Sequence, residues 1–173
     1  MSETVSVTTS DEVTIEVPRE IVLMWGTVAD LLEDYAKPKK EGEEGEEDED
    51  ASELKMEDIP IPEVESGILE KIIEFCQQYL VDPEGIEWKR SYFASTDDSL
   101  EAIQSRNRML AEITAGANYL NIKPLYTEVT AAIASTFKGK TPEQIRDEWG
   151  WPDDLSAEEK ERIIQENAWC LDL

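Results

Sequence analysis

The sequence predicts an α/β fold of the α+β type, with a small sheet and its helices first and an all-helical region after them. Three patterns in the 173 residues support this prediction. Apolar residues alternate with polar ones near the N-terminus, as in strands, and recur every three or four positions from residue 68 onward, as in amphipathic helices. Two helix-start signatures then follow residue 140.

The first elements are a β-hairpin and a helix. Alternating apolar residues on both sides of a polar turn predict the hairpin, and apolar residues at helical spacing predict a helix over 21–34. Residues 41–50 read EGEEGEEDED, with eight acids in ten positions, so we expect a disordered acidic loop at about 38–56. The hairpin residues are Val5, Val7, Val13, Ile15 and Val17.

A strand and several helices follow the acidic loop. Ile59–Pro62 suits an edge strand, and Pro62 suits the first position of the next helix. That helix carries an apolar stripe, and residues 82–85 form a turn before three aromatic residues that anchor the chain. We expect a short helix from Leu100, a second helix after it, and a third that starts at Pro124. The stripe consists of Ile68, Leu69, Ile72, Ile73, Cys76 and Tyr79, and the aromatic residues are Trp88, Tyr92 and Phe93.

Two capped helices end the chain. Gly139 lies where a glycine often ends a helix, and Thr141 and Gln144 form a capping box around Pro142 at the first helical position. Ser156–Glu159 is a second capping box. We therefore expect two short, well-defined helices after residue 140.

Composition excludes several classes of function. The chain has no histidine, which removes Ser-His-Asp and Cys-His nucleophile systems and histidine metal sites. With 41 acidic and 16 basic residues the net charge is −25, so we expect no nucleic-acid partner. No apolar run approaches the length of a membrane helix, and we expect a soluble intracellular protein with no membrane contact. Cys76 and Cys170 are expected to be buried, reduced thiols.

No catalytic, metal or cofactor site is predicted. Gly139–Thr141 resembles the end of a phosphate-binding P-loop, but Ala134 stands where the first glycine belongs and a helix precedes it. Ser52 and Lys55 have a serine–lysine spacing used by some acyl-transfer enzymes, yet they end the acidic loop. Close carboxylate pairs are uninformative among so many acids, and no calcium-loop motif is present. We therefore expect a noncatalytic protein without a cofactor.

Apolar residues are concentrated near the C-terminus, in more than two short helices can bury. Collectively they predict a docking surface, because apolar patches rich in tryptophan often anchor protein partners. Packing on the upstream helices as ordinary core is the alternative for any one of them. The residues are Trp149, Trp151, Leu155, Ile163, Ile164, Trp169 and Leu171.

Several segments together carry a family resemblance. They read LLED at 31–34, ILEKIIEFC at 68–76, ANYLNIK at 117–123, KGKTPEQIR at 138–146 and ENAWC at 166–170. In this order they resemble the Skp family, the F-box adaptors of cullin-RING ubiquitin ligases. The resemblance implies a BTB/POZ-type domain over residues 1–137 and a C-terminal two-helix Skp extension over 138–173 that binds F-box proteins.

The resemblance also implies function and sites. It implies a noncatalytic adaptor that links F-box substrate receptors to a cullin scaffold in an SCF-type ubiquitin ligase, and thereby supports ubiquitin-dependent degradation in the cytoplasm and nucleus. Asn118 and Tyr119 match the family's cullin-binding positions, and Pro142 matches a proline that is hydroxylated and glycosylated in some protist members. The positions that match the F-box surface, of which we expect about half to contact a partner, are Leu125, Val129, Ile133, Phe137, Ile145, Trp149, Ile163, Trp169 and Cys170.

The chain departs from the family pattern at several places. The segment between Trp88 and Asn118 is longer than usual, and we expect it to lie next to the cullin-facing region. Lys89 stands where an aspartate is common, and the glycine of the hairpin turn is missing after Asp11. Trp25 and Gly26 are unusual in the first helix. These departures predict a divergent member.

Other interpretations stay open at this point. The same F-box-binding surface would serve a cullin-independent scaffold, such as a chromosome-segregation assembly. An elongin-C-like adaptor would end soon after the BTB-type domain. A small acidic enzyme would need a concave site whose acids have strongly shifted pKa values. An acidic histone-type chaperone would depend on residues 41–50 to bind basic proteins. An exposed apolar surface also predicts that the free protein forms a homodimer.

Overall fold

The computed structural model describes residues 4–29 and 59–170 of the chain. The predictions for the second half of the first helix, the acidic loop at 38–56 and Leu171 lie outside the described residues. The elements in chain order are β1 Thr4–Thr9, β2 Thr14–Pro18, α1 Arg19–Val22, β3 Ile59–Ile61, α2 Ser66–Val81, α3 Ile86–Tyr92, α4 Leu100–Tyr119, α5 Lys123–Phe137, α6 Pro142–Trp149, α7 Ala157–Glu166 and a 3-10 turn Ala168–Cys170.

A three-stranded sheet in the order β2-β1-β3 opens the fold. β1 and β2 pair antiparallel with Val5 opposite Val17, and β3 adds to the other side of β1 in parallel. Val5, Val7 and Val17 are buried, so one face of the sheet covers the helical core. The predicted hairpin, the predicted edge strand and the α+β class are confirmed.

The hairpin turn holds a non-glycine residue in the left-handed conformation. Glu12 has φ 62°, at the position where the family pattern places glycine after Asp11. For a residue with a Cβ this backbone conformation costs about 1 kcal/mol, whereas glycine adopts it without that penalty. We expect Glu12→Gly to raise the free energy of unfolding by about 1 kcal/mol in urea titrations. Glu16→Gly within β2, the matched control, should lower it, and a loss of stability in Glu12→Gly would contradict this account.

Asp11 ties the hairpin turn to the start of α2. Its carboxylate accepts hydrogen bonds from the Ser66 hydroxyl at 2.6 Å and the Ser66 backbone N–H at 3.0 Å, and from the Thr9 hydroxyl at 2.6 Å. These donors, the Ser66 hydroxyl first, lower the pKa of Asp11 from 3.8 to about 2. The carboxylate thereby fixes where α2 begins relative to the sheet.

The lowered pKa of Asp11 predicts a pH-dependent contribution to stability. Because the folded-state pKa lies below the unfolded one, the stabilisation is complete above pH 3.8 and is lost as the pH falls through about 2. We expect Asp11→Asn to unfold at lower urea concentration than the wild type at pH 6, with the difference shrinking toward pH 2. A difference that does not change with pH would show that the carboxylate charge plays no part.

The predicted helix over 21–34 is wrong at its start. α1 ends at Val22, and a second helical stretch begins at residues 26–29. The side chain of Trp25, between them, is completely buried in the core. A Cβ at Gly26 would lie 2.5 Å from Nδ2 of Asn121, so only glycine permits this approach. The two unusual residues of this segment therefore explain the break, because one fills the core and the other allows the chain to contact the end of α4.

α2 carries the predicted apolar stripe, with Leu69, Ile72 and Cys76 buried. It begins at Ser66, so the prediction that Pro62 starts this helix is wrong. The chain stays non-helical after Pro62 because Val64 is buried and its carbonyl accepts the N–H of Ser10 at 3.0 Å. The predicted aromatic anchors pack around Phe75, with ring centroids 5.2 Å from Trp88, 5.6 Å from Tyr92 and 6.2 Å from Phe93.

α4 is one continuous helix of 20 residues, which corrects the prediction of a short helix followed by another. Ser99 caps its start by accepting the N–H of Ala102 at 3.2 Å. Leu110, Ile113 and Ala117 are completely buried against the core. α4 packs against α2, α5 and α6, and so connects the sheet-containing part of the fold to the C-terminal helices.

Candidate functional site

α6 begins the C-terminal extension and is capped at both ends. The Thr141 hydroxyl accepts the N–H of Gln144 at 3.3 Å, and the Gln144 side chain accepts the N–H of Thr141 at 2.9 Å. Pro142 occupies the first helical position and is exposed to solvent. Gly150 ends the helix in the left-handed conformation with φ 65°. Both predicted capping boxes are confirmed, since Ser156–Glu159 forms the second at the start of α7.

An aromatic row leads from α5 across α6. The rings of Phe137 and Trp149 stack with centroids 5.3 Å apart and planes 7° apart, and Trp151 lies 5.3 Å beyond Trp149. The indole N–H of Trp149 donates to the Thr136 hydroxyl at 3.3 Å, which fixes the ring against α5. Trp151, at the outer end of the row, is 52% exposed. The row therefore presents an aromatic edge to solvent.

α7 and the residues on either side of it carry large apolar side chains that are exposed. We call this set the tail surface; its members are Trp151, Leu155, Ile163, Ile164 and Trp169. Ile164 is 58% and Trp169 is 74% exposed. α7 has no buried residue, and its adjacent Ile163 and Ile164 are both exposed. Large apolar side chains that the described residues leave uncovered are typical of a surface that binds a protein partner.

Ion pairs, rather than apolar packing, join α7 to α6. Asp153 in the connecting segment pairs with Arg146 of α6 at 3.6 Å and with Lys160 of α7 at 2.5 Å. The hydrogen bond from Lys160 is the main cause of the lowered pKa of Asp153. The position of α7 thus depends on the position of α6.

The structure divides eight of the nine predicted F-box-binding residues into three groups. Leu125 and Val129 are completely buried and contribute to the core. Ile163 and Trp169 lie on the tail surface, and the side chain of Cys170 lies outside the described residues. The part-buried residues on α5 and α6, which lie between core and tail surface, are Ile133, Phe137, Ile145 and Trp149. Contact of any of the nine with an F-box protein stays a prediction.

Two amide side chains of α4 hold the end of α6, and the sequence analysis did not identify them. Gln104 donates to the carbonyl of Asp147 at 2.7 Å, and the completely buried Asn107 donates to the carbonyl of Glu148 at 2.8 Å. Their spacing of three residues puts them on one face of α4. The spacing of the two amide residues was the only signal in the sequence, and it does not show which backbone carbonyls they contact.

The predicted cullin-binding residues lie at the C-terminal end of α4. Asn118 and Tyr119 are both exposed. The hydroxyl of Thr27, in the helical stretch 26–29, donates to the carbonyl of Tyr119 at 2.8 Å and so supports the backbone of the motif. Asn118 lines a shallow cavity of about 290 Å³ together with Lys123 and residues of the first turns of α5. The two side chains are free to contact a partner, which stays a prediction.

The long segment between Trp88 and Asn118 contacts α6 at one end and carries the motif at the other. Gln104 and Asn107, in the first half of α4, contact α6, and the helix ends at Tyr119. Asn107 lies about 16 Å along the helix axis from Asn118, at 1.5 Å per residue. Lys89, at the start of the segment, pairs with Glu128 of α5 at 2.7 Å and fastens α3 to the core. The later residues of α4 lead directly to Asn118 and Tyr119, and an effect of the extra length on cullin docking stays a prediction.

Other kinds of site find little support in the described ranges. Among residues 4–29 and 59–170, no three His, Cys, Asp or Glu side chains are grouped so that they could hold a metal ion. Burial raises the pKa of the Cys76 thiol to about 12, which leaves it protonated and inert at neutral pH. No helix in the described part of the chain combines the length and apolarity needed to cross a bilayer.

Comparison with known proteins agrees with the geometry. The family model for the Skp1 family dimerisation domain matches residues 123–170, and the model for the Skp1 family tetramerisation domain matches residues 47–81. The first match covers α5, α6, α7 and every residue of the tail surface.

Relatives align over nearly their full length. A Skp1-related protein of Caenorhabditis elegans is 32% identical over 97% of this chain and 92% of the relative. The SCF ubiquitin ligase complex protein SKP1a of Dictyostelium discoideum is 33% identical over 97% and 96%. The E3 ubiquitin ligase complex SCF subunit sconC of Aspergillus flavus is 34% identical over 98% and 97%. The chain belongs to the Skp1 family.

Proposed function

We propose that this chain is a noncatalytic adaptor of an SCF-type ubiquitin ligase, in which it links F-box substrate receptors to a cullin. The observation that carries the proposal is the tail surface, whose large apolar side chains stay exposed although both C-terminal helices begin in a capping box. The relatives named as SCF subunits support the same function.

The F-box partner is proposed for the C-terminal helices. The tail surface and the outer end of the aromatic row form a contiguous stretch of sequence, residues 149–169, with tryptophans at both ends. Tryptophan side chains in partly covered apolar surfaces supply much of the binding energy at protein interfaces. A helical receptor domain that buries this surface would supply the cover that residues 4–29 and 59–170 do not provide.

The cullin partner is proposed for the opposite end of α4, at Asn118 and Tyr119. α4 is a single uninterrupted helix whose first part contacts α6 and whose last residues carry the motif. The cullin-facing motif and α6, which precedes the tail surface, are thereby joined through a single helix. A rigid connection holds substrate receptor and ligase scaffold at a fixed separation, which raises the effective concentration of the substrate at the ubiquitin-loaded enzyme.

Affinity purification tests the proposal. The full-length wild-type chain carries an N-terminal tag, is recovered from its native cells, and its co-purifying proteins are identified by mass spectrometry. We expect both F-box proteins and a cullin. F-box proteins without a cullin would instead indicate a cullin-independent scaffold, and recovery of neither would contradict the adaptor function.

A further inference from the structure

We propose that Gln104 and Asn107 are positioning residues that hold α6, and through it the tail surface, in the orientation that binds the partner. The identity of the partner rests on the proposed function, whereas the support of α6 by these two residues does not. Neither residue belongs to either proposed binding surface.

The two amide groups donate to backbone carbonyls in the last turn of α6. The last four carbonyls of an α-helix lack the usual N–H partner four residues on. In α6 these include Asp147 and Glu148, which receive the side-chain N–H groups of Gln104 at 2.7 Å and Asn107 at 2.8 Å. The Asp147 carbonyl also accepts the N–H of Gly150 at 3.2 Å, so Asn107 makes the larger difference at its own carbonyl. Gln104 also packs against the turn that follows, since a Cβ at Gly150 would lie 3.7 Å from its amide atoms.

α6 needs such external support. It has only eight residues and none of them is buried. Isolated helices of this length are unstable in water, because the cost of forming the first turn is not recovered. Its other attachments include the stacking of Trp149 on Phe137, the hydrogen bond from the Trp149 indole to Thr136 and the ion pair between Glu148 and Lys140. The pair of amide donors is the attachment that reaches α6 from α4.

The position of α6 is passed on to the tail surface. Asp153 pairs with both Arg146 of α6 and Lys160 of α7. α7 itself has no buried residue, and its closest packing is with the 3-10 turn that follows it. Displacement of α6 would therefore displace α7, and a partner would have to restore the orientation on binding. That ordering cost reduces affinity without the loss of a direct contact.

The test compares variants that keep side-chain size but remove the donors. Gln104→Met and Asn107→Leu, together in the full chain, leave the two carbonyls of α6 without these amides. Gln104→Lys keeps a donor and should retain much of the wild-type behaviour. Ser105→Met with Arg108→Leu is the matched control, because both residues are exposed on the same stretch of α4.

Hydrogen–deuterium exchange of the free chain is the first measurement. We expect the donor-free variant to exchange faster in peptides covering residues 142–169, with residues 66–81 of α2 unchanged. The matched control should exchange like the wild type. Equal exchange over 142–169 in the donor-free variant and the wild type would overturn the proposal.

Binding is the second measurement, with a purified F-box protein recovered in the affinity purification as the probe. We expect Kd to rise about tenfold in the donor-free variant and to return toward the wild-type value in Gln104→Lys with Asn107 intact. Faster exchange with an unchanged Kd would overturn the role in binding. If no F-box protein is recovered, the proposed function fails, whereas the exchange result still decides whether Gln104 and Asn107 hold α6.

Discussion

Replacing Asn118 and Tyr119 together with lysine is expected to abolish cullin binding and to leave F-box binding intact. Both side chains are exposed, and the motif's structural hydrogen bond uses the backbone carbonyl of Tyr119, which substitution does not remove. Loss of two central contacts and burial of two charges at an interface should weaken binding at least about thirtyfold. Biolayer interferometry with the purified cullin measures the effect directly.

The matched control for this variant lies two turns earlier on the same helix. Ala111 and Glu112 are exposed, so Ala111→Lys with Glu112→Lys introduces two lysines on α4 away from the motif. We expect this control to bind the cullin like the wild type. Equal cullin affinity for the Asn118/Tyr119 variant and the wild type would remove these two residues from the interface.

Substitution of the tail surface is expected to have an equally large effect on the other partner. Ile163→Asp with Trp169→Ala should weaken F-box binding at least about a hundredfold, because both side chains would be central anchors of the buried surface. The urea midpoint of the free chain should hardly change, since Ile163 is 41% and Trp169 74% exposed and neither supports the core. Titration calorimetry and urea denaturation of the same samples separate binding from stability.

Gln165→Asp provides the control for the added negative charge in α7. Gln165 lies two residues from Ile163, on the opposite side of the helix, and is exposed. We expect it to leave F-box affinity unchanged. A large drop in stability for the Ile163/Trp169 variant would show that these residues belong to the core, which is the alternative that the sequence left open.

Local signals allowed much of the fold to be predicted. The hairpin follows from strict alternation between Val5 and Val17, and the two capping boxes follow from residues that act within four positions of one another. Such features depend on neighbours in the chain, so the sequence displays them directly. The exposure of Ile164 and Trp169 follows from a simple excess of apolar residues over the helices available to bury them.

Long-range contacts account for the predictions that failed. Trp25 interrupts the first helix because its side chain enters the core, and Gly26 meets Asn121, which lies 95 positions later in the chain. Asn107 lies where the sequence predicted only a short helix from Leu100, yet its partner carbonyl belongs to Glu148. Patterns within a short window cannot specify such partners. For the same reason the capping box of α6 could be predicted from the sequence, whereas its contacts with Gln104 and Asn107 of α4 could not.

The central claim is that one chain bridges an F-box protein and a cullin. The most direct measurement is immunoprecipitation of the cullin from native cells depleted of this chain and then supplied with either the wild type or the Asn118/Tyr119 variant. We predict that the wild type restores F-box proteins in the cullin precipitate and that the variant does not. If the variant restores them equally, or if depletion does not remove them, the bridging function is contradicted.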